Sequence, residues 1–160
     1  NVFADIDAPS PQVTLEEILI CCKAVRRGTS RMLVSCDMPY GQLQVGADSA
    51  LKAAVRIIKE GGADMIKLDA AADHPEAVKA LTKSGIPVFA QFGLTPQTAL
   101  KWGIPYSSQN SNAAQATAEA SARLVEEAKM LEAAGAERLT ADGNRVAATL
   151  GALRRSLRGR

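Results

Sequence analysis

One pattern recurs four times along this chain. A helical segment closes on glycine, at most a few residues follow, an apolar run of strand length comes next, and that run ends on a polar side chain. The instances are Gly28 to Asp37, Gly62 to Lys67 and Asp69, Gly85 to Gln91, and Gly135 to Asp142. Glycine closes helices because it takes the left-handed backbone conformation without steric cost. Strands alternating with helices through short crossovers make right-handed βα units on a parallel sheet. The expected fold is therefore α/β, with four βα units of a parallel TIM-type barrel, half or incomplete, in a single domain over residues 1–160. A complete barrel of this kind takes about 250 residues. A doubly wound open sheet is the alternative, but no glycine-rich phosphate loop follows the first strand.

The elements can be placed in order. Residues 1–13, with Pro9 and Pro11, read as irregular. Thr14 and Glu17 have the spacing of a capping box, which predicts a helix to about Arg27. Met32–Cys36 reads as a buried strand, and residues 37–41 as a loop. Asp48-Ser49 is expected to cap a second helix through Glu60, followed by the strand Asp64–Asp69. Asp73 and Glu76 again have box spacing, with Pro75 in the first turn of a helix ending at Gly85. Ile86–Gln91 is the third strand. Gly93–Gln97 is a turn into a short helix, with Thr95 as cap and Pro96 at the first helical position. Residues 107–112 read as a loop, 113–134 as a long helix, and 137–141 as the weakest strand, because Glu137 and Arg138 stand where apolar residues are expected. A last helix from about Arg145 ends in Arg154, Arg155, Arg158 and Arg160, read as a solvated helix end.

Composition excludes several function classes. A net charge of +2 gives no basic field for nucleic acid. No apolar run reaches membrane-spanning length, and the N-terminus lacks a signal-peptide pattern, so a cytoplasmic location is expected. Cys21, Cys22 and Cys36 have neither disulfide nor metal-ligand spacing and read as reduced, packed thiols. His74, the one histidine, is expected at the surface and cannot by itself anchor a histidine-rich metal site or a serine–histidine–aspartate triad.

What remains is the rim where the strand ends meet. In Asp64-Met65-Ile66-Lys67-Leu68-Asp69, alternation sends Lys67 and Asp69 to one face, and Ile66 and Leu68 to the other. Charge at the end of a buried strand is costly unless it is paired or binds something. An internal ion pair or two solvated loop residues would also account for it. Asp37, Lys67, Asp69, Gln91 and Asp142 are expected to share one mouth. Two carboxylates there can hold a hard divalent cation, and a lysine can neutralise a substrate carboxylate or a developing enolate oxygen. Such a set suits removal of a proton next to a carbonyl, followed by making or breaking a carbon–carbon bond.

Leu33–Tyr40, Met65–Asp69 and Phe92–Gln97, with Thr14–Gly28 and Leu131–Ala136, resemble the ketopantoate hydroxymethyltransferase (3-methyl-2-oxobutanoate hydroxymethyltransferase) family in register over most of residues 13–142. Gly93-Leu94-Thr95-Pro96-Gln97 after a strand is the most specific piece. The resemblance implies a TIM barrel using Mg2+ and methylenetetrahydrofolate to hydroxymethylate 3-methyl-2-oxobutanoate, an α-keto acid, toward pantothenate. It implies that Asp37 contacts metal and substrate, that Lys67 contacts the keto acid, and that Asp69 stands for a metal-associated glutamate. Asp142 stands for the catalytic-base glutamate. Gln91 falls on a histidine position, which places it against the substrate, and the family's upstream Gly-Asp-Ser motif has no counterpart. Two other readings follow from these departures: a related metal-dependent aldolase or lyase on another α-keto acid, or an inactive remnant serving as an assembly subunit.

A half-barrel leaves two unpaired strand edges. The chain is accordingly expected to be part of a longer one, or to associate as a homo-oligomer or with another chain that covers those edges.

Overall fold

A computed structural model describes residues 3–6, 11–93, 95–98 and 118–141. Five parallel strands form one sheet in the order β1-β2-β3-β4-β5: Phe3–Ile6, Leu33–Asp37, Met65–Leu68, Val88–Phe92 and Arg138–Ala141. Spatial order follows chain order with no reversal, as in a barrel and unlike a doubly wound sheet, which reverses at its switch point. Among the described residues the barrel is not closed, and β1 and β5 are the outer strands. Four βα units are present as expected, with one strand more than the four read from the sequence. Phe3–Ile6, in the segment read as irregular, pairs in register with Leu33–Cys36.

Thr14 opens helix α1 (Leu15–Gly28) with the expected box. Its hydroxyl accepts the Glu17 N–H at 3.2 Å, while Glu17 Oε2 accepts the Thr14 N–H at 2.8 Å. The short helix α2 (Gln42–Val45) then ends at Gly46, which starts α3 (Ala47–Arg56). The cap is therefore Gly46, at φ 132°, rather than Asp48-Ser49. A wider π turn, Ile57–Gly61, prolongs α3. A Cβ on Gly61 would lie 3.0 Å from Cys22 Sγ, so a side chain there would press on α1.

The second expected box does not form. Asp73 closes a 3-10 turn, His74 takes the cap position of α4 (Pro75–Lys83), and no side chain caps it. Proline disfavours helical backbone in the residue before it, so the chain bends at His74 instead. His74 is half-buried beside Glu76. Helix α5, Ala118–Ala133, turns Leu124, Ala128 and Leu131 inward.

Both faces of the middle strands are buried, as parallel sheets require. Val34, Cys36, Ile66, Leu68, Val88, Ala90 and Phe92 pack with the helices in one core. The three cysteines are free; Cys22 and Cys36 are buried, but Cys21 is exposed rather than packed. No helix among the described residues is long and apolar enough to cross a membrane.

At the start of the sheet two acids act as staples. Asp64 Oδ2, ion-paired with Arg26, accepts the Val34 N–H at 2.9 Å. Glu137 Oε2 accepts the Val88 N–H at 2.6 Å. Each acid precedes one strand and satisfies a donor at the start of the strand beside it. This explains Glu137, which lies just ahead of β5 rather than within it. Arg138 lies on the sheet face away from the helices, its guanidinium 5.8 Å from the Phe89 ring centre.

Candidate functional site

Register organises the face away from the helices into rows. Ser35 pairs with Met65, and Asp37 with Lys67, which pairs with Phe89 and through it with Arg138. Gln91 pairs with Thr140 one row higher, and Asp69 follows Leu68 as Gln91 follows Ala90, the register partner of Leu68. The strand tips thus carry Asp37 and Lys67 in one row, with Asp69 and Gln91 in the next. All four are buried. The sequence-predicted rim exists over these residues. Asp142, residues 107–112, the segment 113–117 and the arginine-bearing helix from 145 lie outside the described residues.

Lys67 Nζ lies 3.2 Å from Asp37 Oδ1. The Met38 N–H donates to Lys67 O at 2.8 Å, which ties the loop after β2 to β3. Asp69 Oδ2 accepts the Gln97 N–H at 3.0 Å. Burial pushes the Asp69 carboxyl above the ordinary range; the Thr95 hydroxyl, the Gln97 and Ala70 amides and the Lys67 charge oppose that shift. Ala70 itself takes the left-handed conformation, φ 55°, which turns the chain sharply after Asp69.

Sequence reasoning assigned no role to Gln97. Its side-chain amide donates from Nε2 to Met38 O at 3.2 Å, next to Asp37. The signals that could have found it were the Gly93–Gln97 stretch that carries the resemblance and a polar Thr-Pro-Gln-Thr run soon after a buried strand; Thr95, Gln97 and Thr98 are all buried. Glu127 was also missed. Burial pushes its half-buried carboxyl upward, against the pull of Arg123 and the Gly93 amide.

The donor set can be tested against a divalent cation. Asp69 Oδ1 is buried without a hydrogen-bond partner among the described residues, and so is Ser35 Oγ. No group of three histidine, cysteine or acidic residues able to hold a metal ion occurs among the described residues. Magnesium needs only one or two protein carboxylates and keeps water in its other positions. Asp37 and Asp69 fit that requirement.

The family model for ketopantoate hydroxymethyltransferase matches residues 6–152. The chain belongs to this family. The 3-methyl-2-oxobutanoate hydroxymethyltransferase of Streptomyces coelicolor is 39% identical over 124 residues, 78% of this chain and 40% of that protein. The enzyme of the same name from Gloeobacter violaceus is 41% identical over 125 residues, covering 78% and 46%. That from Flavobacterium johnsoniae is 36% identical over 135 residues, covering 84% and 47%. The chain thus spans less than half the length of these curated relatives. A 7,8-dihydropteroate synthase structure from Vibrio fischeri aligns at 22% identity and a TM-score of 0.48, over 87% of this chain and 48% of that one. That likeness is too loose to carry weight. Family membership, by contrast, covers every strand tip described above, so the ketopantoate hydroxymethyltransferase family is the frame in which the rim is read.

Proposed function

We propose that the chain acts in hydroxymethyl transfer from methylenetetrahydrofolate to 3-methyl-2-oxobutanoate, forming ketopantoate in pantothenate biosynthesis. The observation that carries this reading is the buried Lys67–Asp37 pair with Asp69 just above it, at the C-terminal ends of neighbouring parallel strands. That end of a parallel barrel is where active sites are built.

In this reading Lys67 contacts the α-keto acid and stabilises the negative charge that develops on its carbonyl oxygen. Asp37 contacts substrate and cation, and Gln91 the substrate. Asp142 takes the proton from the carbon next to the carbonyl. That carbon then bonds to the transferred one-carbon unit, tetrahydrofolate leaves, and water supplies the hydroxyl. Asp37 and Asp69 are the residues that would hold Mg2+, which when bound supplies Lewis-acid polarisation of a carbonyl. The test is release of tetrahydrofolate with 3-methyl-2-oxobutanoate and Mg2+. Wild-type turnover lost in both Lys67→Ala and Asp37→Ala supports the reading, and turnover retained in either variant refutes it.

Gln91 favours a second reading. An amide cannot exchange protons near neutral pH as imidazole does. A related aldolase or lyase acting on another α-keto acid would need no folate, and turnover without folate separates the two.

The sides of β1 and β5 that no strand pairs among the described residues support association into a homo-oligomer or with a chain that covers them. A clean monomer by light scattering at micromolar concentration would overturn that.

A further inference from the structure

Asp37 ends β2 and Asp69 directly follows β3, and something must hold their carboxylates at a set separation. Gln97 reaches both. Its backbone N–H binds Asp69 Oδ2 at 3.0 Å, and its Nε2 binds Met38 O, one residue past Asp37, at 3.2 Å. The opposite amide orientation would set Oε1 against Met38 O, so the donor end must face that carbonyl.

Gln97 is itself held on both sides. The Thr95 N–H donates to Thr98 Oγ1 at 3.0 Å, and the Thr98 N–H to Thr95 O at 3.1 Å. The Thr98 hydroxyl also donates to Thr95 O at 3.0 Å. These bonds are buried, so the turn has little freedom to shift. Gln97 Oε1 is buried with no hydrogen-bond partner among the described residues. An unsatisfied amide oxygen is costly, and an apolar side chain would fill the space without that cost. The polar group therefore answers a requirement other than packing.

We infer that Gln97 is a positioning residue: it straps the Asp37 loop to Asp69, sets the spacing of the two carboxylates, and so governs how tightly this mouth binds a divalent cation. The inference rests on the reading of Asp37 and Asp69 as a cation site. Groups that orient metal ligands typically change affinity about 10–100-fold when removed.

The test is a titration of the purified chain with Mn2+, followed by the electron paramagnetic resonance of the free ion. Gln97→Met keeps the side-chain volume and the backbone N–H but loses the bond to Met38 O. We expect Mn2+ binding weakened about 10-fold or more, with the far-ultraviolet circular dichroism unchanged. Equal affinity in the two proteins, even with a lower melting temperature in the variant, overturns the inference and leaves the cation site standing. No Mn2+ binding by the wild-type chain overturns the cation site and the inference with it. If Gln97→Met does not fold, hydrogen exchange of the wild-type chain decides. The Gln97 N–H should gain protection on Mn2+ addition while amides of α1 do not, and no gain overturns the inference.

Discussion

Lys67 Nζ lies 3.2 Å from Asp37 Oδ1, with side chains only 10% and 8% exposed, across two strands whose register sets the residues directly opposite one another. Packing does not ask for this pair. Buried ion pairs roughly break even or lose against apolar residues of the same volume, whereas removal of one partner strands a charge.

Lys67→Met should therefore destabilise the chain by about 3–5 kcal/mol, because Asp37 is left buried without its cation. The double variant Lys67→Met, Asp37→Leu should recover most of that loss, and under the proposed function neither variant should bind the keto acid. Urea denaturation of the single and double variants checks this. A double variant no more stable than the single one would show that the pair supports the fold rather than the site.

The two acid staples should be worth similar amounts. Asp64→Ala removes the acceptor of the Val34 N–H and the partner of Arg26, and Glu137→Ala removes the acceptor of the Val88 N–H. Each should cost about 1–2 kcal/mol, toward the low end for a charged acceptor because both carboxylates reach solvent. Faster hydrogen exchange at Val34 or Val88 in the matching variant would locate the effect.

Gly93 has φ +83°, and a Cβ there would lie 2.8 Å from Leu124 Cδ2. The left-handed backbone alone should make Gly93→Ala about 1–2 kcal/mol less stable. Because Leu124 ends in a flexible tip, Gly93→Ala should lose about as much stability in a Leu124→Ala background, measured against Leu124→Ala alone, as in the wild-type chain. Thermal unfolding of the single and double variants gives the comparison.

Burial pushes the Glu127 carboxyl upward, and the negative charge of Asp73 adds to it; Arg123 and the Gly93 amide oppose the shift. With the folded-state value above the unfolded one, the native chain holds the proton longer. Stability attributable to Glu127 is then greatest below the ordinary glutamate range and falls as pH rises through the folded-state value. Glu127→Gln should flatten this slope. Urea denaturation across a pH series starting near 4.5 measures it; an unchanged slope would assign it to other groups.

Much of the fold was legible because its signals are local. The Thr14–Glu17 box, the helix-ending glycines and the apolar runs at strands β2 to β4 each act through neighbours within a few residues. The rim was legible in outline, since alternation along one strand fixes which side chains share a face. What failed needed non-local information. Phe3–Ile6 is a strand because β2 offers it a ladder of partners, and Glu137 makes sense only once the Val88 N–H lies beside it.

The amino-acid order alone settled the alternation of strands and helices, the family, and which residue types stand at the strand tips, because these depend on short-range spacing. Only the folded chain decided that Lys67 touches Asp37, and that a glutamine following a proline ties the Asp37 loop to Asp69. Those contacts join residues 28 to 59 positions apart, and no local preference can specify a meeting that depends on how the strands line up.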